Sequence, residues 1–251
     1  MIFFPNAKIN LGLNIIERRV DGFHNIETLY YPCYQMTEML EVVAQPETAM
    51  YIYGLKVDGN LMDNLCMKAY RLLARHYDLP PAGIHLYKKI PIGAGLGGGS
   101  ADAAFTLMAL NRLFSLDISD DDLAGYAAVL GSDCPLFIYN KPMIARGRGE
   151  ILTPYRDILD GYKIEIVHPE IFISTKEAYL GVTPHKAEVP LEEALKYPVE
   201  QWREVLFNDF EESIFKKYPV LAKEKEFLYN RGAVYASLSG SGSALFGLFG
   251  S

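Results

Sequence analysis

Cysteine is scarce in this 251-residue chain: Cys33, Cys66 and Cys134 stand far apart, with no C-x-x-C pair. That spacing argues against a disulfide framework and a structural zinc site, and points to three reduced, mostly buried thiols. No run of 18 or more apolar residues occurs, so no membrane-spanning helix and no membrane partner are expected. The N-terminal MIFFPNAKIN lacks a basic stretch followed by an apolar one, and Lys8 and Asn10 interrupt it early. No signal or transit peptide is expected, and a cytoplasmic enzyme is the default reading. Basic residues are also short: 24 Lys and Arg against 31 Asp and Glu leave a net charge of −7. Without a basic surface that releases counterions, nucleic acid is not an expected partner, although a small anion held by local groups is compatible. His76, His85, His168 and His185 show no paired spacing and read as structural or surface residues. No sequence feature sets an oligomeric state. Half of the residues are hydrophobic (50%), ample for one large or two medium domains.

Glycine, by contrast, is concentrated in one place. Residues 91–103 read PIGAGLGGGSADA, with Gly93, Gly95, Gly97, Gly98 and Gly99 running into a helix expected to open at Ser100. Glycine accepts positive φ and lets the backbone approach a ligand, so successive N–H groups converge on one anion while the helix adds its positive end. A plain strand-to-helix turn is the bland alternative, but one glycine serves that purpose and each further one costs backbone entropy. The loop is expected to hold phosphate.

Around it the pattern reads as α+β, with antiparallel-looking strands and clustered helices instead of a regular βαβ alternation. Residues 7–16 alternate as a half-buried strand, with Ile9, Leu11, Leu13 and Ile15 on one side and Lys8, Asn10, Gly12 and Asn14 on the other. Asp21-Gly22 signals a hairpin before a strand at 24–32, and further strands are expected at 39–43, 50–57 and 84–90. Helical spacing covers 61–77, and Ser119 with Asp122 resembles a capping box for a helix ending at Gly131. After a soft boundary at 150–155 come a strand at 162–167, a short helix capped by Ser174 with Glu177, and several helices between 191 and 229. Strands at 233–238 and 244–249 then flank a second glycine-serine loop, 239–243. The boundary divides the chain into 1–152 and 153–251.

Three familiar phosphate cradles fail on the flanks of the loop. A Walker A loop needs a lysine before its final Ser or Thr, and Gly99 stands there. Gly93, Gly95 and Gly98 satisfy G-x-G-x-x-G, with Asp117 roughly twenty residues on, but the preceding strand is alternating and charged, and Asp117 follows a helix. No H-R-D or D-F-G segment supports a protein kinase. PIGAGLGGGSADAA instead resembles the phosphate-binding motif of the GHMP small-molecule kinases, the family of galactokinase, homoserine kinase and mevalonate kinase. AKINLGLNI at 7–15 resembles that family's N-terminal motif, and SLSGSGSALF at 237–246 its C-terminal glycine-rich motif. Together the three motifs span nearly the whole chain.

The resemblance implies a two-domain architecture, with a ribosomal-protein-S5-like ATP-binding N-terminal domain and a ferredoxin-like C-terminal domain. It also implies ATP-dependent phosphorylation of an alcohol. Asp21-Gly22-Phe23-His24, GSDCPLFI around Asp133, RGRGEILTP at 146–154 and Lys8 within AKINLGL are similar to one branch. In that branch the acceptor, a methylerythritol of non-mevalonate isoprenoid synthesis, is carried on a cytidine diphosphate. Asp133 is then implied as the base and Lys8 as its cationic partner; a nearby ammonium keeps a carboxylate ionised. On residues alone, Asp133 also fits a turn and Lys8 a solvated strand face. Pro91, Ile92, Gly93, Ala94, Gly95, Leu96, Gly97, Gly98, Gly99, Ser100 and Ala101 are implied to wrap the triphosphate of ATP, with Lys88 and Asn64 facing the adenine. Ser100 can touch a phosphate or Mg2+, and is equally readable as a helix N-cap. No acidic residue matches a magnesium-binding glutamate, so the ion is expected to come with ATP. His24 is implied to pair with the cytosine edge, Phe23 and Tyr179 to stack it, Thr175 to lie beside it, and Asn10 to bond the methylerythritol. The open alternatives are another alcohol acceptor, such as homoserine or a phosphorylated sugar, and a non-catalytic nucleotide sensor. The chain ends at Ser251, two residues past its last expected strand, where family members continue into another helix.

Overall fold

The computed structural model describes residues 1–250; Ser251, where the sequence reading closes the C-terminal domain, lies outside the described residues. In chain order the strands are β1 (Ile2–Phe3), β2 (Asn6–Arg18), β3 (His24–Thr37), β4 (Met39–Ala44), β5 (Ala49–Gly54) and β6 (Ala82–Lys88). They continue as β7 (Met143–Arg146), β8 (Ile151–Pro154), β9 (Tyr162–Val167), β10 (Tyr235–Leu238) and β11 (Leu245–Gly250). The helices are α1 (Leu65–Ala74), α2 (Gly98–Leu113), α3 (Asp120–Leu130), α4 (Cys134–Tyr139) and α5 (Thr175–Leu180), then α6 (Leu191–Ala194), α7 (Trp202–Val205), α8 (Phe210–Lys217) and α9 (Pro219–Asn230). The α+β expectation holds. Two compact units emerge: one of Met1–Ala7, Pro32–Ile92 and Gly97–Lys141, the other of Lys8–Tyr31, Gly93–Leu96 and everything from Pro142 onward.

The first unit holds a sheet in the order β1-β4-β6-β5, antiparallel except for the parallel β5–β6 pair. Parallel neighbours need a crossover, and the chain between them supplies α1. Its start is set by Asn64, whose carboxamide oxygen accepts the Cys66 N–H at 2.9 Å. The helix expected over 61–77 therefore splits there, leaving a 3-10 turn at Leu61–Asp63 ahead of it. At α3 Ser119 is the N-cap as expected, its hydroxyl accepting the Asp122 N–H at 3.2 Å; the Asp122 carboxylate returns to that hydroxyl at 2.7 Å and not to the Ser119 N–H of a full capping box.

In the second unit the sheet order is β10-β11-β9, wholly antiparallel. Helix α5 is capped as expected by Ser174, which accepts the Glu177 N–H at 3.1 Å. The core here gathers Leu13, Ile15, Phe210, Ile214, Leu221, Leu228, Leu238 and Leu245. Truncating a buried ring such as Phe210 to alanine costs about 3–5 kcal/mol. A further sheet runs in the order β2-β3-β7-β8. Within it Gly147 and Gly149 take positive φ (68° and 110°) in the β7–β8 turn.

Two expectations about local structure are corrected. Strand β2 is buried on both faces from Asn6 to Leu13, not half-buried, so its polar alternation does not mark a solvated side. Helix α2 opens at Gly98, two residues before Ser100, because Gly97 supplies the left-handed turn (φ 73°) that starts it.

Candidate active site

The second unit brings three separated segments onto one carbonyl. The Lys8 ammonium donates to the Gly95 carbonyl oxygen at 2.9 Å and to the Asn10 side-chain oxygen at 2.6 Å. The Ser239 hydroxyl donates to the same Gly95 oxygen at 2.9 Å, and the Ala244 N–H to the Ala94 carbonyl at 3.0 Å. Lys8 also lies 5.2 Å from the centre of the Tyr30 ring and is only 3% exposed. The glycines permit this approach. Gly95 has φ 78°, and a Cβ there would lie 2.0 Å from the Ser239 carbonyl oxygen. A Cβ at Gly240 (φ 55°) would lie 3.3 Å from the Asn10 oxygen and 3.4 Å from the Lys8 nitrogen. The Asn208 amide holds the second loop by donating to the Leu238 and Gly240 carbonyls, at 2.8 and 2.9 Å.

In this setting the solvated-face reading of Lys8 fails. Asn10, which the sequence reading gave to the acceptor, is 1% exposed. Its oxygen is used by Lys8 and its amide donates to the Thr28 hydroxyl at 3.1 Å. Asn10 orients the lysine.

In the first unit, α2 begins at Gly98 without a side-chain cap. Its first-turn N–H groups keep the orientation and positive end that suit an anion. Gly99 is exposed, whereas Ala94, Leu96 and Ala101 are buried, so those three can offer a ligand only backbone. Pro91 is half-buried, and Ile92 and Gly93 are exposed. Ser100 is not an N-cap. It sits in the first turn of α2, which packs against α4 and so lies beside the turn bearing Asp133. Burial pushes the Cys134 thiol up to about 12. Asp133 stands at the N-cap position of α4, yet its carboxylate makes no capping hydrogen bond, so the turn explains its place in the chain but not its acid.

Lys88 and Asn64, implied to face the adenine, both have partners within the protein. Lys88 is 4% exposed, and its ammonium meets Glu38 at 2.5 Å and Asp102 at 2.8 Å. Burial opposes its charge, but the two carboxylates hold its pKa above the ordinary lysine value. Burial also pushes the Asp102 carboxyl up to about 7 against the pull of Lys88. The Asn64 side-chain oxygen is occupied in capping α1. Sequence reasoning missed Glu38, Asp102, Thr28, Ser239 and Asn208. Only Asp102 and Ser239 had a signal, lying inside the two glycine motifs.

On the acceptor side, the slot expected between Phe23 and Tyr179 is not formed. His24 stacks on Tyr179 itself, with ring centres 4.6 Å apart and planes at 17°, while Phe23 packs against the Arg148 guanidinium at 5.0 Å. The Phe210 ring meets Tyr179 edge-on at 5.0 Å. Thr175 is the first residue of α5, one turn before Tyr179. Burial, then the Arg18 charge, lowers the His24 pKa below 6.5, favouring a neutral ring that can both donate and accept. Among the described residues no group of three His, Cys, Asp or Glu side chains could hold a metal ion.

Comparison with known proteins fits this arrangement. Residues 64–141 match the GHMP kinases N terminal domain, and residues 191–251 match GHMP kinases C terminal. The chain belongs to the GHMP kinase family. It is 52% identical to a 4-diphosphocytidyl-2-C-methyl-D-erythritol kinase of Bacteroides thetaiotaomicron, over 99% of this chain and 92% of that protein. A crystal structure of 4-(cytidine 5'-diphospho)-2C-methyl-D-erythritol kinase matches with a TM-score of 0.83 and 31% identity, covering 99% of this chain and 90% of the other. A mevalonate kinase crystal structure matches at 0.71 with 17% identity, over 99% and 91% of the two chains, and shares the fold.

Proposed function

We propose that this chain is an ATP-dependent small-molecule kinase that phosphorylates the 2-hydroxyl of 4-diphosphocytidyl-2-C-methyl-D-erythritol, in the non-mevalonate route to isoprenoid precursors. The observation that carries the reading is the near-complete alignment, at 52% identity, with a relative bearing that enzyme's name. The buried Lys8 held against the glycine loop supports it, since a nucleotide sensor needs the cradle but not a proton-handling pair.

Phosphoryl transfer demands a positioned hydroxyl, stabilised charge on the transferring group and a proton acceptor. In this reading Asp133 takes the proton of the acceptor hydroxyl, and Lys8, fixed by Asn10 and Gly95, supplies positive charge to the hydroxyl and γ-phosphate. The backbone of residues 93–99 and the Ser100 hydroxyl bind the phosphates. The Ser100 hydroxyl would help hold an Mg2+ ion accompanying ATP, which would supply charge neutralisation to the phosphates. His24, backed by the Tyr179 ring it stacks on, reads the cytosine edge, with Phe23 and Thr175 beside the base. Residues 1–152 form the ATP-binding domain and 153–251 the second domain, and the enzyme works in the cytoplasm.

An ATP-coupled assay against the cytidylyl alcohol, homoserine and a phosphorylated sugar tests the assignment. Turnover is expected with the cytidylyl alcohol alone, and turnover confined to another alcohol refutes it. Asp133→Ala should lower kcat by about 10²–10⁴-fold while a nonhydrolysable ATP analogue still binds; near-normal kcat would remove Asp133 from the base role.

A further inference from the structure

Lys88, Glu38 and Asp102 form a buried charge cluster that the transfer chemistry does not use. Lys88 ends β6, immediately before the glycine loop; Asp102 lies on α2, just after it. Their ion pair, at 2.8 Å, therefore joins two residues 14 apart that bracket the loop. Glu38, in the link between β3 and β4, holds the β6 end of this anchorage at two points. One of its oxygens meets the Lys88 ammonium at 2.5 Å, and the other accepts the Lys89 N–H at 2.8 Å. The ammonium lies directly against the start of the cradle helix, where a Cβ at Gly98 would come within 3.0 Å of it.

The placement is unfavourable by any rule of simple stabilisation. Two carboxylates face one ammonium, all three side chains are at most 5% exposed, and the second Asp102 oxygen has no hydrogen-bond partner. A cation at a helix N-terminus also opposes the helix dipole. An apolar trio would fill such a space at no loss of stability. What an apolar trio cannot do is fix direction and register at the base of a loop with five glycines in seven residues, whose backbone would otherwise sample many conformations.

We propose that Glu38, Lys88 and Asp102 are positioning residues that clamp the stem of the glycine loop and hold it preorganised for the nucleotide triphosphate. The clamp acts through the loop and touches no reacting atom. Its loss weakens nucleotide binding, because the loop must then be ordered at the moment of binding, and leaves transfer from the bound nucleotide largely intact. The inference rests on the ATP-binding reading of the loop.

The test is a neutral triple variant, Glu38→Gln, Lys88→Met and Asp102→Asn, which removes the clamp without leaving a buried unpaired charge. Binding of the nonhydrolysable analogue AMPPNP by calorimetry is expected to weaken about tenfold. At saturating ATP, kcat and the acceptor KM should stay within about threefold of wild type. Thermal stability recovered together with wild-type AMPPNP affinity would overturn the proposal, because the cluster would then be only structural. A kcat falling as far as the affinity would overturn it too. Should the triple variant not fold, Asp102→Asn alone reads the same link: about threefold weaker AMPPNP binding is expected, and unchanged binding overturns the clamp. Wild type that binds AMPPNP but turns over no alcohol would refute the kinase assignment and leave the clamp to be judged on binding alone. Wild type that binds no AMPPNP overturns both.

Discussion

Replacing Gly95 by alanine places a methyl group where the two glycine loops meet. The new Cβ would sit 2.0 Å from the Ser239 carbonyl oxygen, against an ordinary carbon contact of about 3.5 Å. The loops must part by about 1.5 Å, more than a hydrogen bond of normal length tolerates. Three bonds lie on that seam: Lys8 and Ser239 to the Gly95 oxygen, and Ala244 to the Ala94 oxygen. The charged one contributes about 1.5–3 kcal/mol and each neutral one about 1 kcal/mol. Holding alanine at φ 78° adds about 1–2 kcal/mol of strain. Partial relaxation leaves an expected loss of about 3–6 kcal/mol from a stability of about 5–15, read by urea denaturation, with a raised KM for ATP in whatever folds. Gly99→Ala is the control. It lies in α2, its φ is not positive, and its Cβ would meet only Leu65, at 3.8 Å, so stability should hold or rise by about 0.5–1 kcal/mol. If Gly95→Ala unfolds within about 1 kcal/mol of wild type, the seam between the loops does not organise the site.

A pH profile tests His24. Burial holds its pKa below 6.5, so its neutral ring predominates at neutral pH. The stability linked to it is present above the unfolded value and lost as pH falls through the folded one. Acceptor KM should be level at neutral pH and rise only as pH falls below the ordinary histidine value, and His24→Asn should flatten that limb; an unchanged profile in the variant excludes His24 from acceptor binding. All three cysteines are buried and outside any disulfide, and burial raises the Cys66 and Cys134 thiols. Native protein should therefore leave them unmodified by a thiol reagent that labels all three in denaturant; rapid native labelling would contradict the packing around α1 and α4.

The local grammar of this chain determined a good deal by itself. The Asp21-Gly22 turn, the caps at Ser119 and Ser174, and two-residue alternation are short-range effects, and β9, α3 and α5 fall where the sequence places them. The glycine density of 93–99 likewise announced a close backbone approach, because no other residue accepts such φ values cheaply. What the approach was for came only from folding. The alternation around Lys8 and Asn10 gave no sign that both faces of β2 are covered, since burial depends on segments more than eighty residues away. Lys88, in a charged strand ending, carried no local sign that Glu38 and Asp102 close over it. His24 and Tyr179 stack on each other, so the expected slot between Phe23 and Tyr179 was lost. Hydrogen-bond caps and φ preferences are encoded within a few residues and survive in the bare sequence. Which charge meets which, and in what dielectric, is set by distant segments converging in space, so only the tertiary structure decided that Lys8 faces the loop and Lys88 anchors its stem.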